Sequence, residues 1–235
     1  MRNPVLRGDV RARARSRKIR AIELFCVSAL ALLAFLGLPP ELSQIEQDRQ
    51  TGLVAALGVV LLVLVTYFAS ACAAGEIAVE GEKSAVDLLF APFRPATIAA
   101  GKSLSSLLTV VYWILLGLPI LVLAAAVRRT PLGDLMAVVG LAASAAWGIA
   151  QWGLLYSIAV ESEFARTAVH WATLFLAFVL TLLLPAGARW VNPVVAVGSA
   201  AGGQVVLSAF VLYLGVGLLG WAASLLALGR FDGAS

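Results

Sequence analysis

GLVAALGVVLLVLVTYFASACAAG, residues 52–75, decides the class of this chain, because it runs for six helical turns without an Asp, Glu, Lys or Arg. A helix needs about 20 apolar residues to cross a hydrocarbon core of about 30 Å. Water is absent there, so every backbone N–H and C=O must be satisfied within its own segment, which a helix achieves. Working outward, comparable runs occupy residues 21–38, 103–127, 135–160, 167–188 and 204–229, and only the first contains a charge, Glu23 near its start. The pattern predicts an all-α polytopic membrane protein with six transmembrane helices.

Composition agrees. Hydrophobic residues make up 61% of the chain and charged residues 13%, against about 25% charged in ordinary soluble domains. The segments between the runs are too short to house a soluble domain with its own active site. Cys26 and Cys72 each lie inside an apolar run without a spaced partner, as small membrane-packing residues do.

Charge sets the expected orientation. Eight of the 17 basic residues fall in the first 20 positions: Arg2, Arg7, Arg11, Arg13, Arg15, Arg17, Lys18 and Arg20. Cytoplasmic flanks carry the Lys/Arg excess, so the N-terminus is expected in the cytoplasm, and six spans return the C-terminus to that side. The outer loops then keep Arg49, Arg128, Arg129 and Arg189, of which the adjacent Arg128 and Arg129 fit least well. The first run reads as an uncleaved span, since the stretch after it offers no small-x-small cleavage site.

Residues 1–20 form a separate basic segment ahead of the spans in 21–235. Leu6, Val10 and Ala14 recur every four residues beside Arg7, Arg11, Arg15 and Lys18. A basic amphipathic helix of this kind lies on the membrane, each cation contributing about 1 kcal/mol near anionic headgroups. Pro4 suits its first turn; the alternative is an unstructured topogenic arm.

Residues 76–102 are the longest expected cytoplasmic link. Ser84 and Asp87 have the spacing of a capping box at a helix start, and Pro92 limits that helix to about two turns. Val86, Leu89, Phe90 and Phe93 share one face by their i, i+3, i+4, i+7 spacing. Glu76, Glu80, Glu82 and Asp87 make an acidic shoulder, with Leu88 inside the helix. Such a helix is shaped to dock in a groove on a cytoplasmic partner. A helix resting on the membrane surface is the other reading, and its acidity weighs against that because the inner leaflet is itself negative.

Further along, Ala96, Gly101, Lys102 and Ser103 fit a relaxed phosphate-loop spacing. That chemistry needs backbone N–H groups curled between a strand and a helix, whereas here FAPFRP precedes and an apolar run follows. Lys102 reads instead as a basic anchor at the mouth of the third span. His170, the one histidine, has no second ligand or orienting carboxylate in its own run. Intramembrane ionisable residues are the usual markers of ion and proton pathways, and their scarcity argues against a proton- or sodium-coupled transporter.

In this order of features the chain resembles the permease subunit of an ABC transporter of the ABC-2, type V exporter-like class. Four stretches carry the resemblance. Arg2-Asn3-Pro4-Val5-Leu6-Arg7 is similar to the family's N-terminal connecting helix. Glu80-Gly81-Glu82 through Asp87-Leu88-Leu89, then Pro92 and Gly101-Lys102, follows the run around its coupling helix. Residues 161–166, ESEFAR, match the link between spans four and five. Pro185, Trp190 and Asn192-Pro193-Val194 resemble the end of span five and the outer asparagine-proline loop. The chain departs from the family pattern at Gly81, where an arginine is usual, and at Ser84-Ala85, where Gly-Thr often stands.

The resemblance implies a permease that forms a substrate path with a second permease chain, identical or not, in a bacterial or archaeal inner membrane. It implies coupling to a separate ATPase subunit through Glu80, Glu82, Ser84, Val86, Asp87, Leu88, Leu89 and Phe90, and an outer gate at Asn192 and Pro193. ATP and Mg would sit on that partner, with no cofactor on this chain, no catalysis by it and no nucleic-acid partner. Gly198, Gly202, Gly215, Gly217 and Gly220 permit close helix approach, within one chain or between two. The runner-up is a haem-exporter-like permease of cytochrome maturation. A membrane-embedded lipid-modifying enzyme and a non-transporting assembly or sensory subunit are the readings from other classes.

Overall fold

The computed structural model describes residues 17–37, 52–74, 95–160, 162–204 and 207–232. Among these residues there are seven α-helices and no strand: α1 (Arg17–Leu36), α2 (Gly52–Ala74), α3 (Pro95–Val127), α4 (Leu132–Ala159), α5 (Glu163–Phe178), α6 (Pro193–Ala201) and α7 (Leu207–Asp232). Two 3-10 turns, Leu180–Leu183 and Ala186–Val191, join α5 to α6. Five stretches are long and apolar enough to cross a membrane: Gly52–Ala73, Ala99–Val127, Leu132–Ala159, Phe164–Leu183 and Leu207–Leu228.

The sixth expected span, residues 21–38, is helical but not among those five. Its helix α1 runs unbroken from Arg17, so Arg17, Lys18, Arg20 and Glu23 share its first two turns. Residues 24–36 of α1 carry no charge, and the end of this expected span, residue 38, lies outside the described residues.

Helix α4 is the centre of the bundle, flanked by α2 and α7. Gly58 of α2 lies against Val138 of α4 and Val197 of α6, while Gly140 of α4 meets the Phe210 ring of α7. Further along, Gly148 of α4 meets Tyr213 of α7, and Gly220 of α7 meets Gln151. The α4–α7 pairings advance in the same direction, so those helices run parallel. Gly117 of α3 meets Leu61 of α2 and Trp113 meets Phe68, so α3 runs antiparallel to α2, and the tight α3–α4 turn makes α4 parallel to α2. At the α4–α7 crossing a Cβ on Gly148 would stand 2.6 Å from the Tyr213 carbonyl oxygen, and one on Gly217 would stand 3.0 Å from Gly148 Cα. Only glycine lets the two backbones come this close. In lipid, where apolar burial drives little helix association, such close packing supplies much of the attraction. The Phe68 and Trp113 rings add a stacked contact between α2 and α3, 4.2 Å apart.

The outward faces are apolar. Phe25 and Leu32 on α1, Leu115 and Leu123 on α3, Phe175 and Leu176 on α5, and Leu218 and Leu219 on α7 are all exposed. A surface this greasy is at home in hydrocarbon, and the bundle is that of a membrane protein.

The α3–α4 turn accounts for the two arginines that fit the charge pattern least. Thr130 N–H donates to Ala125 O at 2.9 Å and Arg129 N–H to Ala126 O at 3.2 Å. This 6→1 and 5→2 pair closes α3 as a Schellman motif, with Arg129 at the left-handed position, φ 52°. Arg128 Nη2 donates to Gly37 O at 3.0 Å, satisfying a carbonyl just past the end of α1. The pair ties α1 to the α3–α4 turn, a structural role that loop charge counting does not see.

Candidate functional site

The acidic link and most of the basic N-terminus lie outside the described residues: Glu80, Glu82, Ser84, Val86, Asp87, Leu88, Leu89 and Phe90, and Arg7, Arg11 and Arg15. Lys18 falls in the first turn of α1. The link leaves α2 at Ala74 and enters α3 at Pro95, the end of the bundle where α4 passes to α5. Ser162 Oγ caps that return, accepting from Ala165 N–H at 3.4 Å.

Asn192 and Pro193 are described in full. Asn192 is completely buried. Its Oδ1 accepts from Val194 N–H at 2.8 Å and Val195 N–H at 3.2 Å, capping α6. Its Nδ2 donates to Phe178 O at 3.1 Å and to Thr181 Oγ1 at 2.7 Å. Phe178 is the last residue of α5, so one amide holds the end of one helix and starts the next. Pro193 occupies the first turn of α6, where its missing N–H costs nothing. From there α6 packs against α2 and α4, burying Ala196, Val197, Ala200 and Ala201. Residues 193–201 are thus a short helix packed into the bundle.

Span five was expected over 167–188 as one element. The α-helix stops at Phe178, and two 3-10 turns follow, because the freed Phe178 carbonyl is taken by Asn192 instead of a continuing helix. The helix of span three begins earlier than residue 103: residues 95–103 are already helical. The stretch apolar enough to cross a membrane starts at Ala99, so Lys102 sits, buried, in the second turn of α3 and three residues into that stretch. Within that helix the backbone of 96–103 does not curl as a phosphate loop does.

His170 is buried on α5. The Ser70 hydroxyl donates to Thr66 O at 2.6 Å, approaches Tyr67 O at 3.1 Å and lies 3.4 Å from His170 Nε2. Tyr67 and Trp171 add a ring contact at 5.6 Å across the same helices. The glycines divide: Gly217 and Gly220 pack against α4 within this chain, while among the described residues nothing stands within 4 Å of a Cβ at Gly198 or Gly215. Among the described residues no three His, Cys, Asp or Glu side chains come together to hold a metal.

The sequence reading passed over the polar seam between α3 and α4. Lys102, Ser105, Ser106 and Thr109 recur at i, i+3, i+4 and i+7 on α3, and all four are buried. Across from them, fully buried on α4, is Gln151, whose Nε2 donates to Ser106 Oγ at 3.2 Å. Gln151 Oε1 is buried with no hydrogen-bond partner among the described residues. The available signal was an amide in the middle of an uncharged run; counting only charges hides it.

No family model matches the chain, and no curated protein matches it.

Proposed function

We propose that this chain is the membrane-spanning permease subunit of an ATP-driven ABC exporter of the ABC-2 type. Two permease chains line the substrate path, and a separate ATPase subunit hydrolyses ATP. The observation that supports the reading is where the helices end. Ala74 and Pro95, the described residues flanking 75–94, lie with the α4–α5 turn at one end of the bundle, and the Asn192 cap lies at the other. An exporter needs that polarity: a docking segment facing the ATPase and a gate facing away from it. The resemblance of Glu80-Gly81-Glu82, Asp87-Leu88-Leu89 and Asn192-Pro193 to the ABC-2 pattern supplies the class.

In this reading the apolar face of residues 84–93 enters a groove on the ATPase, with Glu80, Glu82 and Asp87 at the rim. Arg7, Arg11, Arg15 and Lys18 hold the N-terminal segment on the anionic inner leaflet, and Asn192 with Pro193 belongs to the outer gate.

The test is Leu89→Asp. A carboxylate in a desolvated contact costs several kcal/mol unless paired, so the variant should release the ATPase on co-purification or uncouple hydrolysis from transport, with normal membrane insertion. Glu80→Lys with Glu82→Lys should weaken binding less, because rim ion pairs contribute about 1 kcal/mol or less. Normal assembly and transport in Leu89→Asp would sink the coupling role of this segment.

A further inference from the structure

We propose that the seam between α3 and α4 is a binding site for a neutral hydrogen-bond donor, an O–H or N–H group that donates to Gln151 Oε1.

The hydroxyls buried in this bundle satisfy themselves locally. Ser106 donates to Ser103 O at 2.8 Å and Thr109 to Ser105 O at 2.8 Å. On α4 and α7, Ser144, Ser157 and Ser224 donate to Leu141 O, Leu154 O and Gly220 O. A hydroxyl inside a helix can always share the carbonyl three or four residues back. Even Thr66, whose Oγ1 has no partner as placed, needs only a rotation to do so. A bare acceptor has no such remedy, because every N–H in a helix interior is already committed to the ladder. Gln151 Oε1 is therefore the unmet group that this chain cannot satisfy from its own helix.

The orientation of the amide follows from its neighbour. With the Ser106 hydrogen on Ser103 O, the oxygen of Ser106 accepts and Gln151 faces it with nitrogen. The carbonyl oxygen is thereby directed away from Ser106. Leaving such an acceptor dry inside a membrane bundle costs free energy, and buried polar groups in native proteins find a partner in protein or water.

The surroundings select the ligand. An anion would meet an amide oxygen and gain nothing from it. A cation would give up its hydration shell for a single bare oxygen, and burying a charge costs far more than burying a neutral group. A neutral donor suits the acceptor. Two sources supply that chemistry: an ordered water, or the hydroxyl of an amphipathic molecule entering the bundle. Neither requires the exporter reading.

The experiment uses the full chain in phosphatidylcholine nanodiscs, labelled with ¹⁵N in glutamine side chains. Water-edited solid-state NMR asks whether the Gln151 amide exchanges magnetisation with bound water, the peak being assigned by its loss in Gln151→Met. Thermal unfolding asks whether monoolein, which carries hydroxyls, raises the midpoint of the wild type but not of Gln151→Met. Methyl oleate, with the same chain and no donor, should leave both unchanged. A water cross-peak supports the water-filled site; a monoolein shift that needs Gln151 supports the hydroxyl-binding one. A Gln151 amide without a water contact, together with no shift that depends on both the hydroxyls and Gln151, overturns the proposal. Should Gln151→Met fail to insert, Ser106→Ala shifts the same resonance without removing the acceptor and assigns it. In that case the monoolein and methyl oleate comparison on the wild type decides the hydroxyl arm.

Discussion

Two buried amides, Asn192 and Gln151, divide this protein into a part that is finished and a part that is not. Each is fully buried. Asn192 accepts twice and donates twice, so its amide is saturated by neighbours at fixed positions in the chain. Gln151 makes one bond, to Ser106, and leaves its oxygen bare. The difference follows from backbone context. Asn192 sits between helices, where free N–H and C=O groups exist to be captured. Gln151 sits in mid-helix, where the backbone has none to offer. An amide at a helix end is architecture; one in mid-helix has unspent capacity.

The largest effect that would break this contrast is at Asn192. Asn192→Leu strands Val194 N–H, Val195 N–H and Phe178 O together, while the Thr181 hydroxyl keeps its bond to Ala177 O. Loss of a cap costs about 1 kcal/mol and buried unsatisfied groups about 1–3 kcal/mol, so a total of about 2–4 kcal/mol is expected. Thermal unfolding in detergent measures it. Asn192→Ser keeps the cap and loses the two donated bonds, so its midpoint should fall between those of Asn192→Leu and the wild type. Equal midpoints for Ser and wild type would mean that the bonds to α5 contribute nothing.

Next in size is Gly148→Ala, which probes the crossing that holds Gln151 in place. The new methyl would meet the Tyr213 carbonyl, a backbone atom that cannot swing aside. Overpacking of this kind costs about 1–3 kcal/mol. Gly198→Ala, with open space around it, serves as the control and should be close to neutral. A large loss at Gly198 would show that something other than the described residues packs there.

How much of this was legible in the sequence depends on the reach of the interaction. Apolar runs without charge gave the helices, because membrane spans are dictated locally by the need to satisfy the backbone. Element ends were less legible. The start of α3 at Pro95 was hidden by Lys102, which reads as the edge of the apolar run although the helix begins seven residues earlier. The stop of α5 at Phe178 was hidden because LFLAFVLTLLL is apolar throughout, and what ends the helix is an amide fourteen residues on. The Asn192-Pro193 pair was visible as a motif, and its double attachment was not. Gln151 was missed since an inventory of charges has no column for a neutral amide, and its partner Ser106 lies 45 positions away. The acidic link 76–94 was read from its pattern alone and lies outside the described residues.

The smallest expected effect uses a second matched pair, at two helix ends built the same way. Helix α6 closes as α3 does: Gly203 N–H donates to Ala200 O and Gln204 N–H to Ser199 O, both at 3.0 Å, with Gly203 left-handed at φ 81°. Glycine fills that position at one end and Arg129 at the other. A left-handed conformation costs an L-residue about 1–2 kcal/mol, while a new glycine gives back about 0.4–1 kcal/mol through its freer unfolded chain. Arg129→Gly should therefore stabilise by about 0.5 kcal/mol, which for a chain of this size is about 1–2 °C in the unfolding midpoint. Gly203→Ala should do the reverse by a similar amount, since a Cβ there would meet only the Asp134 carboxylate at an ordinary 3.5 Å. Opposite signs would show that both ends are governed by backbone conformation. A loss of stability in Arg129→Gly would instead mean that the arginine side chain anchors the α3–α4 turn by more than its strained backbone costs, making this turn, like the Asn192 cap, a place where side chains decide how helices end.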